Sequence, residues 1–193
     1  GPIENSQEKY FFDRHTSQLI CDDGTEIYLP FGVELPFEQK DQKRLTVTLP
    51  WGIRGELVLP PNNNFESKVQ KLIVNARKFN GVQYQWGGIS TFGCDCSGFV
   101  QSVFKSVGIK LPRDSYQQFD ENQKIDLNDA RKGDLLFFAE NDKIDHVAIS
   151  LGKSKIIHCS GFVKEESLKS TDSDYNMKLN TKFYGAISIE ELS

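Results

Sequence analysis

The stretch that most constrains this chain begins at a cysteine. From Cys96 onward, Ser97, Phe99, Val100, Val103, Phe104 and Val107 recur at helical spacing, and Gly108 stops the run. Before it stand Tyr84-Gln85-Trp86-Gly87-Gly88 and Cys94-Asp95, read as an approach loop and a tight turn whose two glycines let backbone come close to something. A thiol at a helix N-terminus lies near the positive end of the macrodipole, which favours thiolate, the nucleophilic form. Cys96 is therefore expected to be a catalytic nucleophile. The rest of the chain is expected to build its base, its cleft and its specificity.

A chain of 193 residues suits one ordinary domain or two small ones. Its formal net charge of -4, with no Lys/Arg stripe interleaved with aromatics, points away from nucleic acid. No apolar run has the length of a membrane span. The cysteines are Cys21, Cys94, Cys96 and Cys159. A chain of this size buries a core without staples, and a Cys-X-Cys pair bridges to itself poorly, so reduced thiols and a cytoplasmic location are expected. Gly1-Pro2 reads as a protease-cleavage remnant, so a removed leader would instead place the protein in the periplasm or cell envelope. A monomer without cofactor is expected.

Residues 10–60 hold short strand-like runs at 10–12, 18–21, 26–29, 33–35, 45–49 and 55–59. They are separated by Asp22-Asp23-Gly24, Pro30, Pro36, the charged stretch 38–44 and Pro50-Trp51-Gly52. Strands so spaced suggest a small β-barrel, and the Pro-Trp-Gly turn before Gly55-Glu56-Leu57-Val58 resembles a bacterial SH3-like barrel. The alternative is a β-extension of a single domain. The connector Pro60-Pro61-Asn62-Asn63-Asn64 marks the boundary, giving a barrel over 1–61 and a second domain over 62–193. Phe65, Val69, Leu72, Ile73, Ala76 and Phe79 share one helical face, with Asn64 as cap and Asn80-Gly81 as stop. After the nucleophile helix, Asp114 or Ser115 is expected to cap a short helix. Strands follow at 135–138, 145–151, 155–159 and 183–189, with 160–180 read as a polar surface loop. Helices followed by antiparallel strands indicate an α+β fold.

A thiol nucleophile needs a base within hydrogen-bond reach, and the base needs a group to orient it. His146 and His158 fall on adjacent strands joined by a Gly152-Lys153 turn, so antiparallel pairing can set them side by side. His146 is assigned as base and His158 as orienter, and His15 is read as surface. A zinc cluster of Cys94, Cys96, His146, His158 and Cys159 is the competing reading. Cys-X-Cys is not the usual chelate spacing, and His158 and Cys159 point to opposite faces of a strand. No metal is expected, and Cys21, Cys94 and Cys159 are read as small buried hydrophobes. Trp86 serves equally as core or as cleft wall. Arg113-Asp114-Ser115 serves as a helix cap or as a binder of charged peptide ends.

These residues resemble the NlpC/P60 family of papain-like cysteine peptidases. Six blocks carry the resemblance: Tyr84-X-Trp86-Gly87-Gly88, Asp95-Cys96-Ser97-Gly98-Phe99-Val100, Leu111-Pro112-Arg113-Asp114-Ser115-X-Gln117-Gln118, Gly133-Asp134-Leu135-Leu136-Phe137-Phe138, His146-Val147-Ala148-Ile149 and Ile157-His158-Cys159-Ser160. The resemblance spans about residues 65–190. It implies a Cys96, His146, His158 triad that cleaves cell-wall peptides between γ-D-glutamate and a diamino acid. The barrel and the Arg-Asp-Ser block resemble the subgroup acting on stem peptides with a free N-terminal L-alanine. That likeness implies that Asp114 and Ser115 contact the alanine ammonium, that Tyr84 lies near the scissile carbonyl, and that Trp86, Asp95, Ser97 and Arg113 contact D-glutamate. No barrel residue matches the subgroup's substrate contacts. An endopeptidase acting on intact wall, and a non-catalytic peptidoglycan-binding module, are the alternative functions.

Overall fold

The computed structural model describes residues 8–39, 41, 43–59, 64–120, 123–189 and 192. The connector residues 60–63 and Gly1-Pro2 lie outside them. The chain divides into two compact units, Gly1–Asn64 and Phe65–Ser193.

In the first unit, six strands form one antiparallel sheet: β1 (Lys9–Phe11), β2 (Thr16–Cys21), β3 (Glu26–Pro30), β4 (Glu34–Gln39), β5 (Arg44–Thr48) and β6 (Arg54–Val58), in the order β1-β4-β5-β6-β2-β3. Alternation along β5 and β6 buries Leu45, Val47 and Leu57. Phe12, Leu19, Cys21, Leu35 and Leu49 complete the core. Pro36, expected between strands, lies inside β4. Residues 34–36 pair with β1 and residues 37–39 with β5, so the missing proline N–H falls where the strand changes partner.

The second unit begins with α1 (Lys68–Arg77), shorter than the helix expected over 65–79. Its cap is Ser67, whose side chain accepts from Gln70 N–H, and not Asn64. A two-stranded ribbon, β7 (Ile89–Ser90) and β8 (Gly93–Cys94), leads into α2 (Cys96–Lys105). Apolar or small residues on nearly every side of α2 let it sink among its neighbours: Cys96 to Val100 and Ser102 to Phe104 are all buried. Phe79 meets Phe99 edge to face at 5.3 Å, and the Asn75 amide donates to Ser106 Oγ at 2.8 Å, locking α2 to the end of α1. Then come α3 (Ser115–Gln118) and β9 (Lys124–Ile125).

The main sheet adds β10 (Leu135–Glu140), β11 (Lys143–Gly152), β12 (Lys155–Ser160), β13 (Phe162–Ser167) and β14 (Phe183–Ile187). With β9 at one edge, the order is β13-β12-β11-β10-β14-β9, antiparallel throughout. α2 packs across β11 and β12. The stretch 160–180, expected as a polar loop, is instead β13 followed by α4 (Met177–Thr181). Gly161, at φ +73°, reverses the chain so tightly that Ser160 pairs with Phe162. Charged residues at 164–166, spread over both faces of β13, conceal it from a reading by composition.

Candidate active site

Cys96 is the first residue of α2 and is 8% exposed. Asp95 caps the helix: its Oδ1 accepts from Gly98 N–H at 2.7 Å, and its Oδ2 from Gly87 N–H at 2.9 Å. The turn carrying Trp86 is thereby tied to the helix that carries the thiol. The approach is tight at Gly98, where a Cβ would stand 2.2 Å from the Gly88 carbonyl oxygen. Tyr84 is fixed by its N–H, which donates to Gly161 C=O at 2.8 Å across the hairpin of β12 and β13.

Arg113 Nη1 donates to Asp95 Oδ1 and to Ser97 Oγ, both at 3.0 Å, and Nη2 donates to Asp95 Oδ2. The Gln118 amide donates to Ser97 C=O at 3.2 Å and to Pro112 C=O at 2.8 Å, clamping α3 onto α2. Asp114 caps α3, and Ser115 is its first residue. Burial works to raise the Asp95 carboxyl, but hydrogen bonds from Arg113, Gly98 N–H and Gly87 N–H outweigh it and hold it below the usual carboxylate range.

A cavity of about 550 Å³ brings these groups together. Cys96, Asp95, Ser97 and Arg113 line it, as do Tyr84, Trp86, Asp114 and Ser115. Trp86 is 87% exposed, so it serves as cleft wall and not as core.

The two histidines stand together on the main sheet. The register Ile149↔Ile157 places His146 and His158 on one face of the sheet, diagonal across β11 and β12. Their rings meet nearly perpendicular, with His146 Nε2 and His158 Nδ1 2.9 Å apart. The backbone on both sides of His146 reaches the sulfur. Cys96 Sγ lies 3.9 Å from the Asp145 carbonyl, and Val147 N–H draws the thiol pKa down.

One further diagonal step across the sheet reaches a residue the sequence reading missed. His158 Nε2 stands 2.7 Å from Glu166 Oε2 on β13. The Asn176 amide donates to the same oxygen at 2.7 Å, while Asn176 Oδ1 caps α4 by accepting from Leu179 N–H. Burial works to raise the Glu166 carboxyl, but the bonds from Asn176 and His158 hold it below the usual range, so it is ionised. The tautomers follow. His158 Nε2–H donates to the carboxylate, its Nδ1 therefore accepts from His146 Nε2–H, and His146 Nδ1 is left as a bare lone pair. The sequence signal for this carboxylate was Gly161 between two short runs of strand length, 155–160 and 162–167.

The helix N-terminus does not give Cys96 a resting thiolate. Burial and the Asp95 charge push the Cys96 thiol up to about 11, against the pull of Val147 N–H and Ser97 N–H. Burial, with the charges of His158, Lys182 and Lys164, pushes His146 down to about 3. Both shifts favour a neutral thiol and a neutral imidazole.

Cys94 and Cys159 are fully buried with sulfurs 3.7 Å apart, and Cys159 Sγ–H also donates to Cys94 C=O. Cys21 lies in the core of the first unit. Among the described residues no group of three or more His, Cys, Asp or Glu side chains is placed to hold a metal ion. Nor is any helix among them long and apolar enough to cross a membrane.

Two Bacillus proteins named gamma-D-glutamyl-L-lysine dipeptidyl-peptidase are similar to the chain. The one from Bacillus subtilis is 35% identical over 161 residues, 80% of this chain and 54% of that protein. The one from Bacillus cereus is 34% identical over 138 residues, 66% of this chain and 41% of that protein. The chain thus spans about half the length of these relatives. The crystal structure of an NlpC/P60 family protein from Bacillus cereus superposes with a TM-score of 0.83 at 27% identity, covering 96% of this chain and 64% of that one. The family model described as NlpC/P60 family matches residues 81–183, more than half of the chain. A buried cysteine opening a helix, two histidines on adjoining strands and this match together place the protein in the NlpC/P60 family.

Proposed function

We propose that the protein is a cysteine peptidase that hydrolyses the bond between γ-D-glutamate and the diamino acid of peptidoglycan stem peptides. It would release L-Ala-γ-D-Glu from peptides whose N-terminal alanine is free. The observation that carries this reading is the thiol of Cys96 in the same cavity as Asp114 and Arg113, with the backbone on both sides of His146 at the sulfur and His146 joined to His158 and Glu166 in one row. The names of the Bacillus relatives support the same bond. We read the N-terminal unit as an SH3-like barrel, on its six short antiparallel strands around one apolar core.

The chemistry follows from the tautomers. His146 Nδ1 takes the Cys96 proton as the sulfur attacks the γ-glutamyl carbonyl carbon, forming a C–S bond. The oxyanion is held by Cys96 N–H and the Tyr84 hydroxyl. Burial and the facing Cys96 and Asp95 raise the Tyr84 pKa, so its hydroxyl remains a donor. The C–N bond breaks, and His146 passes its proton to the departing amine. Water, deprotonated by His146, then cleaves the thioester and restores the thiol. At the far end, Asp114 offers an anion to the alanine ammonium, and the Arg113–Asp95–Ser97 cluster offers donors to the D-glutamate carboxylate.

Cys96→Ala is expected to abolish turnover with the melting temperature unchanged; retained activity overturns the assignment. Mass spectrometry of products from L-Ala-γ-D-Glu-diamino-acid peptides should find cleavage only where the alanine amine is free. Equal cleavage of N-acetylated peptides would assign the protein to intact wall instead. Tight binding without any turnover would leave a peptidoglycan-binding module.

A further inference from the structure

A second cavity, of about 210 Å³, adjoins the first. Asp145 lines both, with Cys96 on one side of the seam and His146 on the other. The second cavity also carries Lys178 and Lys182. Lys178 is the second residue of α4 and Lys182 the residue that caps its far end, four positions on, and both line the same cavity. Lys182 Nζ holds Glu140 Oε2 at 2.9 Å, but Glu140 is 60% exposed, so water screens the pair and leaves the lysine charge available to a ligand. α4 is fixed relative to the histidines, because its cap residue Asn176 holds Glu166.

The proposed reaction decides which part of the substrate meets this cavity. His146 must protonate the departing amine, so the residue bearing that amine lies over the imidazole when the C–N bond breaks. The α-carbon of the departing residue also bears a carboxyl group, and some diamino acids bear a second at the end of the side chain. We propose that the Lys178/Lys182 cavity is the leaving-residue subsite and that the two lysines recognise a carboxylate on the departing diamino acid. The inference rests on the reading of the bond cleaved.

Four peptides separate the two sources of that carboxylate: L-Ala-γ-D-Glu joined to L-lysine or to meso-diaminopimelate, each as the free acid and as the amide at the α-carboxyl next to the scissile bond. One well-placed charged contact should raise kcat/KM about tenfold over the lysine amide, which offers no carboxylate. A preference that follows the α-carboxyl identifies the peptide end as the recognised group. One that follows the second carboxyl identifies the side chain. Lys178→Gln and Lys182→Gln should collapse the preference through KM, and Lys182→Arg should keep it. Melting temperatures report whether each variant is folded. If wild type cuts all four peptides alike, or the variants slow all four equally, the subsite is overturned while the cleavage reading stands. If wild type cuts none, both are overturned.

Discussion

Cys96 sits where two effects pull its thiol in opposite directions. A helix N-terminus contributes on the order of 0.3–1 kcal/mol toward thiolate. Burial and the adjacent Asp95 carboxylate outweigh it, leaving the thiol at about 11. Alkylation of the free protein by iodoacetamide should therefore rise steadily between about pH 6 and 9, following the thiolate fraction. An acid plateau, the mark of a resting thiolate–imidazolium pair, would refute this. Glu166 sets the proton positions from two residues away. Glu166→Gln removes the anion that holds His158 Nε2–H and supports a charged His146. Activity should fall about 10- to 100-fold in kcat with KM little changed, since Glu166 touches no substrate in this arrangement. The same histidines make stability depend on pH. Both are held below their ordinary value in the folded protein, so below about pH 6.5 the unfolded chain binds more protons and stability falls. The depressed Glu166 carboxyl acts in the same direction at lower pH. The melting temperature should drop as pH goes from 7 to 5; a flat profile would contradict the buried neutral pair.

At the scale of elements, α2 is held in register by contact that only glycine permits. The Gly88 carbonyl accepts from Asp95 N–H at 3.1 Å and lies where a Gly98 Cβ would project. Because the obstructing atom is backbone, Gly98→Ala should cost about 1–3 kcal/mol and reduce turnover by shifting the thiol. Urea unfolding and initial rates test both parts. β13 shows why a charged stretch can still be a strand. Val163 and Ser167 are buried on one face, while Lys164 and Glu166 share the opposite face with His158. Lys164-Glu165-Glu166 reads locally as a solvated loop, and the pairing with β12 overrides that preference. Pro36 shows the same principle in the first unit, tolerated where β4 exchanges one partner for another.

In the whole molecule, all the residues given a chemical role belong to Phe65–Ser193, and each unit has its own buried core. Residues 65–193 expressed alone should fold cooperatively and keep the pH profile of Cys96 alkylation. Loss of a melting transition in that fragment would show that the second unit depends on the first. The mixed α and antiparallel β character of the second unit was legible because β10 is a continuous apolar run and α2 keeps a helical period over ten residues; β13 and α4, read as a polar loop, were not. Three short blocks of the cavity lining, 84–87, 95–97 and 113–115, were legible because each stands next to a glycine turn or a helix start; Ile144 and Asp145, which close the cavity from β11, carried no such signal. The helix cap at Ser67 was not, since Asn64 is as good a cap by composition and only packing chooses between them.

The order of residues along this chain determined which segments could be helix or strand, and that a cysteine would open a buried helix, because periodicity and turn chemistry act between neighbours. The tertiary structure decided the rest: which carboxylate backs His158, which protons rest where, and which lysines stand beside His146. Those properties depend on burial and on partners brought together across strands, and a charge's energy is set by its surroundings in space rather than by its position in the chain.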